Sequence, residues 1–233
     1  MVINEAIILA GGLGTRLRSV VPDLPKCMAP VNGKPFLTYI INHLRKEGIH
    51  HFIFSLGYKS EVVIDFLEKE FPSLFFKTCI EDEPLGTGGA IKKALSIAKE
   101  KSVLVTNGDT LFKIDVTLLA GFHSLSGAEC SLSLKPMKNF DRYGVVEVNR
   151  DHLVESFKEK ALYEYGLING GVYAIHKHRF FEEPLPDKFS FEKDYLEKYH
   201  KTRRIMGIAQ DEYFIDIGVP EDYARAQEEF RMH

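Results

Sequence analysis

Glycines, a threonine and an arginine are crowded into one short segment near the start of the chain. Leu9 begins this run, LAGGLGTRL, which contains Gly11, Gly12, Gly14, Thr15 and Arg16. Glycines, which have no Cβ, let backbone N–H groups converge on an anion, and an arginine guanidinium binds phosphate through two parallel hydrogen bonds. The segment therefore predicts a phosphate-binding loop, with an ordinary glycine turn between a strand and a helix as the alternative.

The loop matches neither of two familiar nucleotide-binding motifs. The dinucleotide-binding fingerprint requires a third glycine where Leu17 stands, and Gly33-Lys34 is followed by Pro35 rather than by the Ser or Thr of a P-loop. A lysine, Lys26, follows a proline soon afterwards. A rigid proline at that point can direct the lysine ammonium group back to the same phosphates.

A second glycine-rich segment, EDEPLGTGGA at 81–90, follows a predicted strand. Glu81 stands at the end of that strand, where ligand crevices of α/β proteins form. The residues that open the next helix are Gly86, Thr87 and Gly88. Small residues at a helix start allow close approach, so this segment predicts a site for the edge of a nucleobase or ribose.

Two aspartates are candidate ligands of a hard cation. Asn107-Gly108-Asp109 ends another predicted strand, and a carboxylate there is suited to Mg²⁺. The alternative is an Asn-Gly turn with a helix-capping aspartate. Asp216 lies in an apolar run, and a carboxylate in such surroundings requires a partner, which an Mg²⁺ shared with Asp109 would supply.

Alternating strands and helices position these segments. In the first half, apolar patterns predict strands at 6–10, 51–56, 75–80 and 103–106, and helices at 36–46, 62–67 and 90–98. The second half shows strands at 131–135, 144–148, 153–158 and 170–175, which favour antiparallel pairing, and helices at 191–200 and 220–230. We expect one α/β domain over 1–233 with a Rossmann-like mixed, mostly parallel sheet flanked by helices. We expect 1–115 to bind the nucleotide and 116–233 to bind the second substrate.

Composition excludes several classes of protein. The chain has 233 residues, of which 45% are hydrophobic and 27% charged, as in an ordinary globular domain rather than a disordered or coiled-coil protein. The net charge of −3 gives no basic surplus for nucleic acid. No apolar run approaches the roughly 18–20 residues of a membrane span, and the N-terminus has no positively charged leader segment. Three scattered cysteines predict no disulfide framework. We expect a cytoplasmic protein with no membrane or nucleic-acid partner.

Taken in order along the chain, these motifs resemble the sugar-1-phosphate nucleotidylyltransferase family. The matching segments are 9–17, 25–26, 81–90, 107–109 and 216–218, so the resemblance covers essentially the whole chain. A narrower resemblance, to D-glycero-α-D-manno-heptose 1-phosphate guanylyltransferases, rests on 140–144 (FDRYG), 166–171 (GLINGG), 189–192 (FSFE) and 216–223. It implies the nucleotide-diphospho-sugar transferase fold.

The resemblance also implies a role for each matching residue. The nucleotide would contact Leu9, Gly11, Gly12, Gly14, Thr15, Arg16, Lys26, Glu81, Gly86, Thr87, Gly88, Asn107 and Asp109. The sugar phosphate would contact Gly144, Glu159, Lys160 and Asn169. Mg²⁺ would bind Asp109 and Asp216, and the catalytic residues would be Arg16, Lys26, Asp109 and Lys160. Ala161 replaces the proline that the family carries after Glu159-Lys160.

The implied reaction is Mg²⁺-dependent nucleotidyl transfer from a nucleoside triphosphate to a sugar 1-phosphate, with release of pyrophosphate. Guanine is favoured because its two neighbouring N–H donors suit the acceptor-only carboxylate of Glu81. The alternatives are a mannose 1-phosphate guanylyltransferase, an N-acetylmuramate 1-phosphate uridylyltransferase, a glycosyltransferase and a non-catalytic nucleotide-sugar sensor. The partners would be GTP and a sugar 1-phosphate. The sequence leaves open whether the chain forms a homo-oligomer.

Overall fold

The computed structural model describes residues 2–12, 17 and 20–231. The strands in this part are β1 (Glu5–Ala10), β2 (Pro30–Val31), β3 (Lys34–Pro35), β4 (His51–Leu56), β5 (Phe75–Ile80), β6 (Ser102–Asn107), β7 (Thr110–Phe112), β8 (Cys130–Phe140), β9 (Val146–Val148), β10 (Val154–Phe157), β11 (Tyr163–His176), β12 (Ile205–Ala209) and β13 (Phe214–Asp216). The helices are α1 (Phe36–Lys46), α2 (Ser60–Glu70), α3 (Gly86–Ile97), α4 (Val116–Leu125), α5 (Lys177–Phe180) and α6 (Pro220–Glu229). Shorter helical pieces occupy Lys26–Met28 and Phe191–Glu197.

A seven-stranded sheet formed by the described residues runs through the centre of the molecule. Its order is β12-β8-β11-β6-β1-β4-β5. The pairs β1–β4, β1–β6, β4–β5 and β8–β12 are parallel, whereas β11 is antiparallel to both β6 and β8. The predicted fold class, a mixed and mostly parallel sheet flanked by helices, is confirmed.

The sheet is buried on both faces. Along β1, Ile7 belongs to one hydrophobic cluster and Ile8 to the other, as expected for a strand whose successive side chains point to opposite faces. Helix α1 covers one face with Phe36, Leu37, Ile40, Ile41 and Leu44, all buried. The covered faces leave the carboxyl ends of the parallel strands as the exposed edge at which polar groups can collect.

The second half differs in detail from the prediction. Strands β8 and β11 extend well beyond the predicted 131–135 and 170–175, while β9 begins two residues after the predicted start at 144. The antiparallel expectation is right for β8 with β11 and for β9 with β10, but β12 joins β8 in parallel. Strands from both sides of residue 115 share the sheet, and the functional division at that residue stays a prediction.

The prediction also omitted β7, α4, β12 and β13. Strands β7 and β13 have three residues each, too few for a periodic pattern to appear. Helix α4 has apolar side chains on most of its surface, and Leu118 and Leu125 are exposed, so its sequence shows little amphipathic contrast. Among the described helices, none combines the length and the apolar character needed to cross a membrane.

Candidate active site

A cavity of about 510 Å³ opens where β1, β5 and β6 end. These strands are parallel members of one sheet, so their carboxyl ends meet at one edge. The cavity volume lies in the ordinary range for small-molecule sites. The predicted residues that line it are Leu9, Gly11, Gly12, Lys26, Glu81, Gly86, Thr87, Asn107 and Asp109. The structure thus brings together residues separated by up to about a hundred positions in sequence.

Part of the predicted phosphate loop lies outside the described residues, namely Gly14, Thr15 and Arg16. For the two described glycines, the space that a side chain would need differs. A Cβ atom on Gly11 would lie 2.6 Å from Oε1 of Glu81, so a side chain at position 11 would displace the Glu81 carboxylate. A Cβ atom on Gly12 would meet no described atom within 4 Å, which leaves open space beside the backbone there.

Glu81 is fixed by two hydrogen bonds within the protein. The hydroxyl of Ser55, on β4, donates to Oε1 at 3.2 Å, and the backbone N–H of Leu85 donates to Oε2 at 3.1 Å. A carboxylate oxygen can accept two hydrogen bonds, so each oxygen retains one lone-pair position. The carboxylate is therefore held rigidly at the cavity wall, and its predicted contact with a base stays a prediction.

The segment 189–192 contacts the helix start at 86–88 and fixes its position. The hydroxyl of Thr87 donates to Oε2 of Glu192 at 2.7 Å and accepts from the N–H of Phe191 at 2.9 Å. Gly86 has φ +73°, and a Cβ atom there would lie 2.5 Å from the carbonyl oxygen of Phe189. A Cβ atom on Gly88 would lie 2.2 Å from the Phe189 ring. Gly86 and Thr87 line the cavity, whereas Gly88 provides room for Phe189.

Lys26 and Asp109 form an ion pair at the cavity floor. Lys26 begins a single helical turn after Pro25, which accepts a hydrogen bond from Met28 N–H at 2.8 Å. The lysine side chain is 13% exposed and that of Asp109 31% exposed, so the pair is largely removed from water. The ammonium group of Lys26 contacts a carboxylate in this structure, and its predicted contact with phosphate stays a prediction.

The pairing of two short strands brings Asp216 close to Asp109. Strands β7 and β13 pair antiparallel with Asp216 opposite Thr110, and Ile217 N–H donates to the carbonyl oxygen of Asp109 at 3.0 Å. Asp216 Oδ1 accepts from the N–H of Gly218, a cavity residue, at 2.7 Å. The two aspartates, 107 residues apart in sequence, are therefore neighbours at one end of the cavity.

The local electrostatics favour a cation. Burial raises the pKa of Asp216, and the nearby charge of Asp109 raises it further, while Lys26 acts in the opposite direction. Burial, assisted by the charge of Asp109, also raises the pKa of Cys27 to about 12, which keeps this cavity thiol protonated. The described residues contain no group of three or more His, Cys, Asp or Glu side chains suited to a metal ion. A metal at Asp109 and Asp216 would need further ligands from substrate or water.

The predicted sugar-phosphate residues occupy a neighbouring region. Glu159 and Lys160 lie in an exposed segment between β10 and β11, and neither is among the described residues that line the cavity. A Cβ atom on Gly144 would lie 2.3 Å from the carbonyl oxygen of Lys158, so glycine permits the close approach of this segment. Gly144 therefore lies against the start of the segment that contains Glu159 and Lys160, next to the hairpin of β9 and β10.

Asn169 lies near the cavity residue Asn107, with Gly171 between them. Its amide nitrogen donates to the hydroxyl of Tyr173 at 2.8 Å, and its amide oxygen accepts from Gly171 N–H at 3.1 Å. Gly171 in turn approaches the side chain of Asn107, since a Cβ atom there would lie 2.6 Å from Nδ2. Asn169 and the cavity residue Asn107 therefore flank Gly171.

Several residues at the site were missed by sequence reasoning. Cys27, Gly108 and Gly218 line the cavity, and Glu192 binds Thr87. Cys27 adjoins Lys26 in sequence, whereas Gly108 and Gly218 stood in the matched segments 107–109 and 216–218 without an assigned role. Glu192 lay in a recognised motif that had no assigned role, because sequence alone does not show which distant segment it contacts.

A comparison with protein-family models identifies the class of the chain. A family model described as nucleotidyl transferase matches residues 5–232, and the chain is a member of this family. The resemblance inferred from the sequence is confirmed at this level.

Two relatives in the comparison are D-glycero-α-D-manno-heptose 1-phosphate guanylyltransferases. The protein from Aneurinibacillus thermoaerophilus is 50% identical over 98% of this chain and 99% of its own length. The protein from Campylobacter jejuni subsp. jejuni serotype O:2 is 48% identical over 94% of this chain and 96% of its own. The narrower resemblance noted in the sequence is confirmed by these relatives.

A solved structure shows the same fold. The crystal structure of HddC from Yersinia pseudotuberculosis complexed with GMP-PN superposes with a TM-score of 0.87 at 40% identity, covering 98% of this chain and all of that one. A protein of the same fold and near-complete overlap thus binds a guanine nucleotide analogue.

Proposed function

We propose that this chain transfers a guanylyl group from GTP to D-glycero-α-D-manno-heptose 1-phosphate, producing the GDP-sugar and pyrophosphate. The observation that carries the proposal is the 50% identity to a guanylyltransferase of this specificity over nearly the full length of both chains. The cavity supports it, because the residues expected to hold a nucleotide converge there. Because GTP is a substrate, we place the enzyme in the cytoplasm.

The proposed chemistry requires little from a general base. The second pKa of a phosphate monoester is about 6, so the attacking oxygen of the sugar 1-phosphate is already anionic near pH 7. The barrier comes from bringing this anion in line with the α-phosphate of a second anion. Arg16, Lys26 and Lys160 would neutralise the two phosphate groups and hold them in line.

The chain's carboxylates fit a divalent cation. Asp109 raises the pKa of Asp216, which means that the two carboxylates repel each other and favour a shared positive charge. Asp109 and Asp216 would hold Mg²⁺, with phosphate and water oxygens completing the octahedral ligand set that this ion prefers. When bound, Mg²⁺ would supply charge stabilisation at the α-phosphate and the leaving pyrophosphate.

The two halves of the chain would bind different substrates. Within 1–115, Leu9, Gly11, Gly12, Glu81 and Thr87 would surround the nucleotide, with Gly14, Thr15 and Arg16 completing the phosphate loop. Within 116–233, the sugar-phosphate residues would be Gly144, Glu159, Lys160 and Asn169. Asn107, from the first half of the chain, and Gly171, from the second, approach each other closely.

A steady-state comparison tests the base and the sugar separately. We would measure kcat/KM for GTP, UTP, dTTP and CTP with heptose 1-phosphate, following pyrophosphate release. We expect GTP to be favoured by about ten- to a hundredfold, since a wrong base would leave the carboxylate of Glu81 facing a carbonyl group. A preference for UTP would contradict the guanylyl assignment.

The acceptor is tested with the favoured triphosphate. Heptose 1-phosphate, mannose 1-phosphate and N-acetylmuramate 1-phosphate would be compared at equal concentrations. The proposal requires the heptose to give the highest kcat/KM, and a higher value for either competitor would reassign the sugar.

A further inference from the structure

The ammonium group of Lys26 is paired with one of the two carboxylates that are proposed to bind the metal. It forms an ion pair with Oδ2 of Asp109, with both side chains mostly shielded from solvent. A carboxylate oxygen in close contact with an ammonium group is not free to bind a metal ion at normal coordination distance. Lys26 therefore neutralises the charge of Asp109 in this structure.

The same ammonium group also lies close to Asp216. The point where a Cβ atom would stand on Gly218 is 2.9 Å from Nζ of Lys26 and 2.7 Å from Oδ1 of Asp216. Lys26 is thus positioned to balance both aspartates together.

Two other charged groups near Asp216, Arg142 and Asp222, pair with each other. Asp222 adds negative charge, and Arg142 pairs with it at 2.5 Å. Arg142 is therefore engaged by Asp222, and Lys26 is the cation that contacts Asp109 among the described residues.

We infer that Lys26 acts as a placeholder cation, which prevents a divalent metal from binding Asp109 and Asp216 until a nucleotide triphosphate draws the ammonium group away. This inference rests on the proposed function, because it assigns the metal to these two aspartates. A lysine and a divalent ion together would place three positive charges against two carboxylates. A triphosphate supplies anionic oxygens for both cations, so the nucleotide and the metal would enter together.

Metal binding by the nucleotide-free protein tests the inference without any turnover. Mn²⁺ would be titrated into the wild type and into Lys26→Met, and free Mn²⁺ measured by electron paramagnetic resonance. Removing the competing charge next to the carboxylates should tighten Mn²⁺ binding by about tenfold or more. The double variant Lys26→Met/Asp109→Asn should lose this gain, because the carboxylate that Lys26 blocked would be missing.

Lys135→Met is the matched control. Lys135 also forms an ion pair with an aspartate, Asp211, and its side chain is similarly shielded at 17% exposure. We expect no change in Mn²⁺ affinity for this variant. Thermal unfolding would establish that each variant is folded, and Lys26→Gln would replace Lys26→Met if the latter is not.

The outcomes are distinguishable from those of the proposed function. Equal or weaker Mn²⁺ binding in a folded Lys26 variant would overturn the placeholder role, as would a similar gain in Lys135→Met. Pyrophosphate release by the wild type is measured separately. A wild type that does not use GTP would refute the proposed function, while tighter Mn²⁺ binding in Lys26→Met would still support competition at the aspartates.

Discussion

At the scale of single residues, the two aspartates at the cavity floor have opposite relations to stability. Burial and the charge of Asp109 raise the pKa of Asp216, so the ionised form of Asp216 costs stability in the folded protein above its usual titration range. Asp109, in contrast, pairs with a shielded ammonium group, and its loss would leave Lys26 buried without that partner. Activity and stability should therefore separate at these positions.

We predict that Asp216→Asn and Asp109→Asn both reduce Mg²⁺-dependent turnover by about a hundredfold or more. Their melting temperatures should move in opposite directions. Asp216→Asn should raise Tm by about 2–4 °C, which corresponds to about 1 kcal/mol in a domain of this size, and Asp109→Asn should lower it. Pyrophosphate release and thermal unfolding at pH 7.5 provide both measurements. Turnover within tenfold of the wild type in either variant would remove that residue from the metal site.

Lys160 provides a second prediction at this scale. Because it is assigned to the acceptor phosphate, Lys160→Ala should raise the KM for the sugar 1-phosphate by about tenfold and leave the KM for GTP nearly unchanged. Lys158→Ala is the control, since Lys158 lies two residues away and pairs with Glu147 on the neighbouring strand. Equal effects of Lys160→Ala on both KM values would show that the assignment is wrong.

At the scale of elements, the helix start at 86–88 depends on a segment from the other half of the chain. Gly88 N–H donates to the carbonyl oxygen of Phe189 at 3.0 Å, and Phe189 N–H donates to that of Leu85 at 3.0 Å. Glu192 adds the acceptor for the Thr87 hydroxyl. The backbone expected to meet the base is therefore positioned by 189–192.

We predict that Glu192→Ala raises the KM for GTP by about five- to tenfold, because Thr87 loses a charge-assisted hydrogen bond. Glu192→Gln, which keeps an acceptor oxygen, should recover most of the loss. Glu197→Ala, an exposed glutamate on the same helical segment, is the control. The KM for the sugar phosphate should stay constant in all three, and a change in Glu192→Ala confined to that KM would contradict the positioning role.

A buried histidine on α4 makes the stability of the protein depend on pH. Burial lowers the pKa of His123 from 6.5 to about 4, and its Nδ1 is hydrogen-bonded to Ser131 on β8 at 2.9 Å. Between these values the unfolded chain binds a proton that the folded chain does not, so stability falls as the pH drops below 6.5.

We expect His123 to account for a loss of roughly 2 kcal/mol in unfolding free energy between pH 6.5 and pH 5. Urea unfolding of the wild type and of His123→Gln at both pH values measures it. The variant should lack this portion of the pH dependence, whereas His50→Gln, at an exposed histidine, should retain it. An unchanged slope in His123→Gln would contradict the assignment.

Sequence patterns predicted the elements of the first half well because each has a local signal. The strands at 51–56 and 75–80 and the helix at 36–46 have the predicted bounds, since apolar runs or apolar periodicity define them and Gly48 follows the helix. The omitted strands β7 and β13 form by pairing with each other across about a hundred residues. That contact is non-local, so neither strand has a local pattern that reveals it.

At the scale of the whole molecule, the site arises from the order of strands in the sheet. Placing β6, β1, β4 and β5 side by side brings Gly11, Asp109 and Glu81 to one edge, and the pairing of β13 with β7 adds Asp216. Residue types and strand ends were sufficient to predict these members. The ion pair of Lys26 with Asp109 and the hydrogen bond of Thr87 to Glu192 were not predictable. Both depend on side-chain contacts between segments that are distant in sequence.

The proposed reaction transfers a guanylyl group from GTP to a heptose 1-phosphate. The most direct measurement is a competition in one vessel, with GTP, Mg²⁺ and equal amounts of D-glycero-α-D-manno-heptose 1-phosphate and mannose 1-phosphate, followed by mass spectrometry of the products. We predict that GDP-heptose forms first and in about tenfold or greater excess, with an equal amount of pyrophosphate released from GTP. Predominant GDP-mannose, or no GDP-sugar at all, would contradict the account.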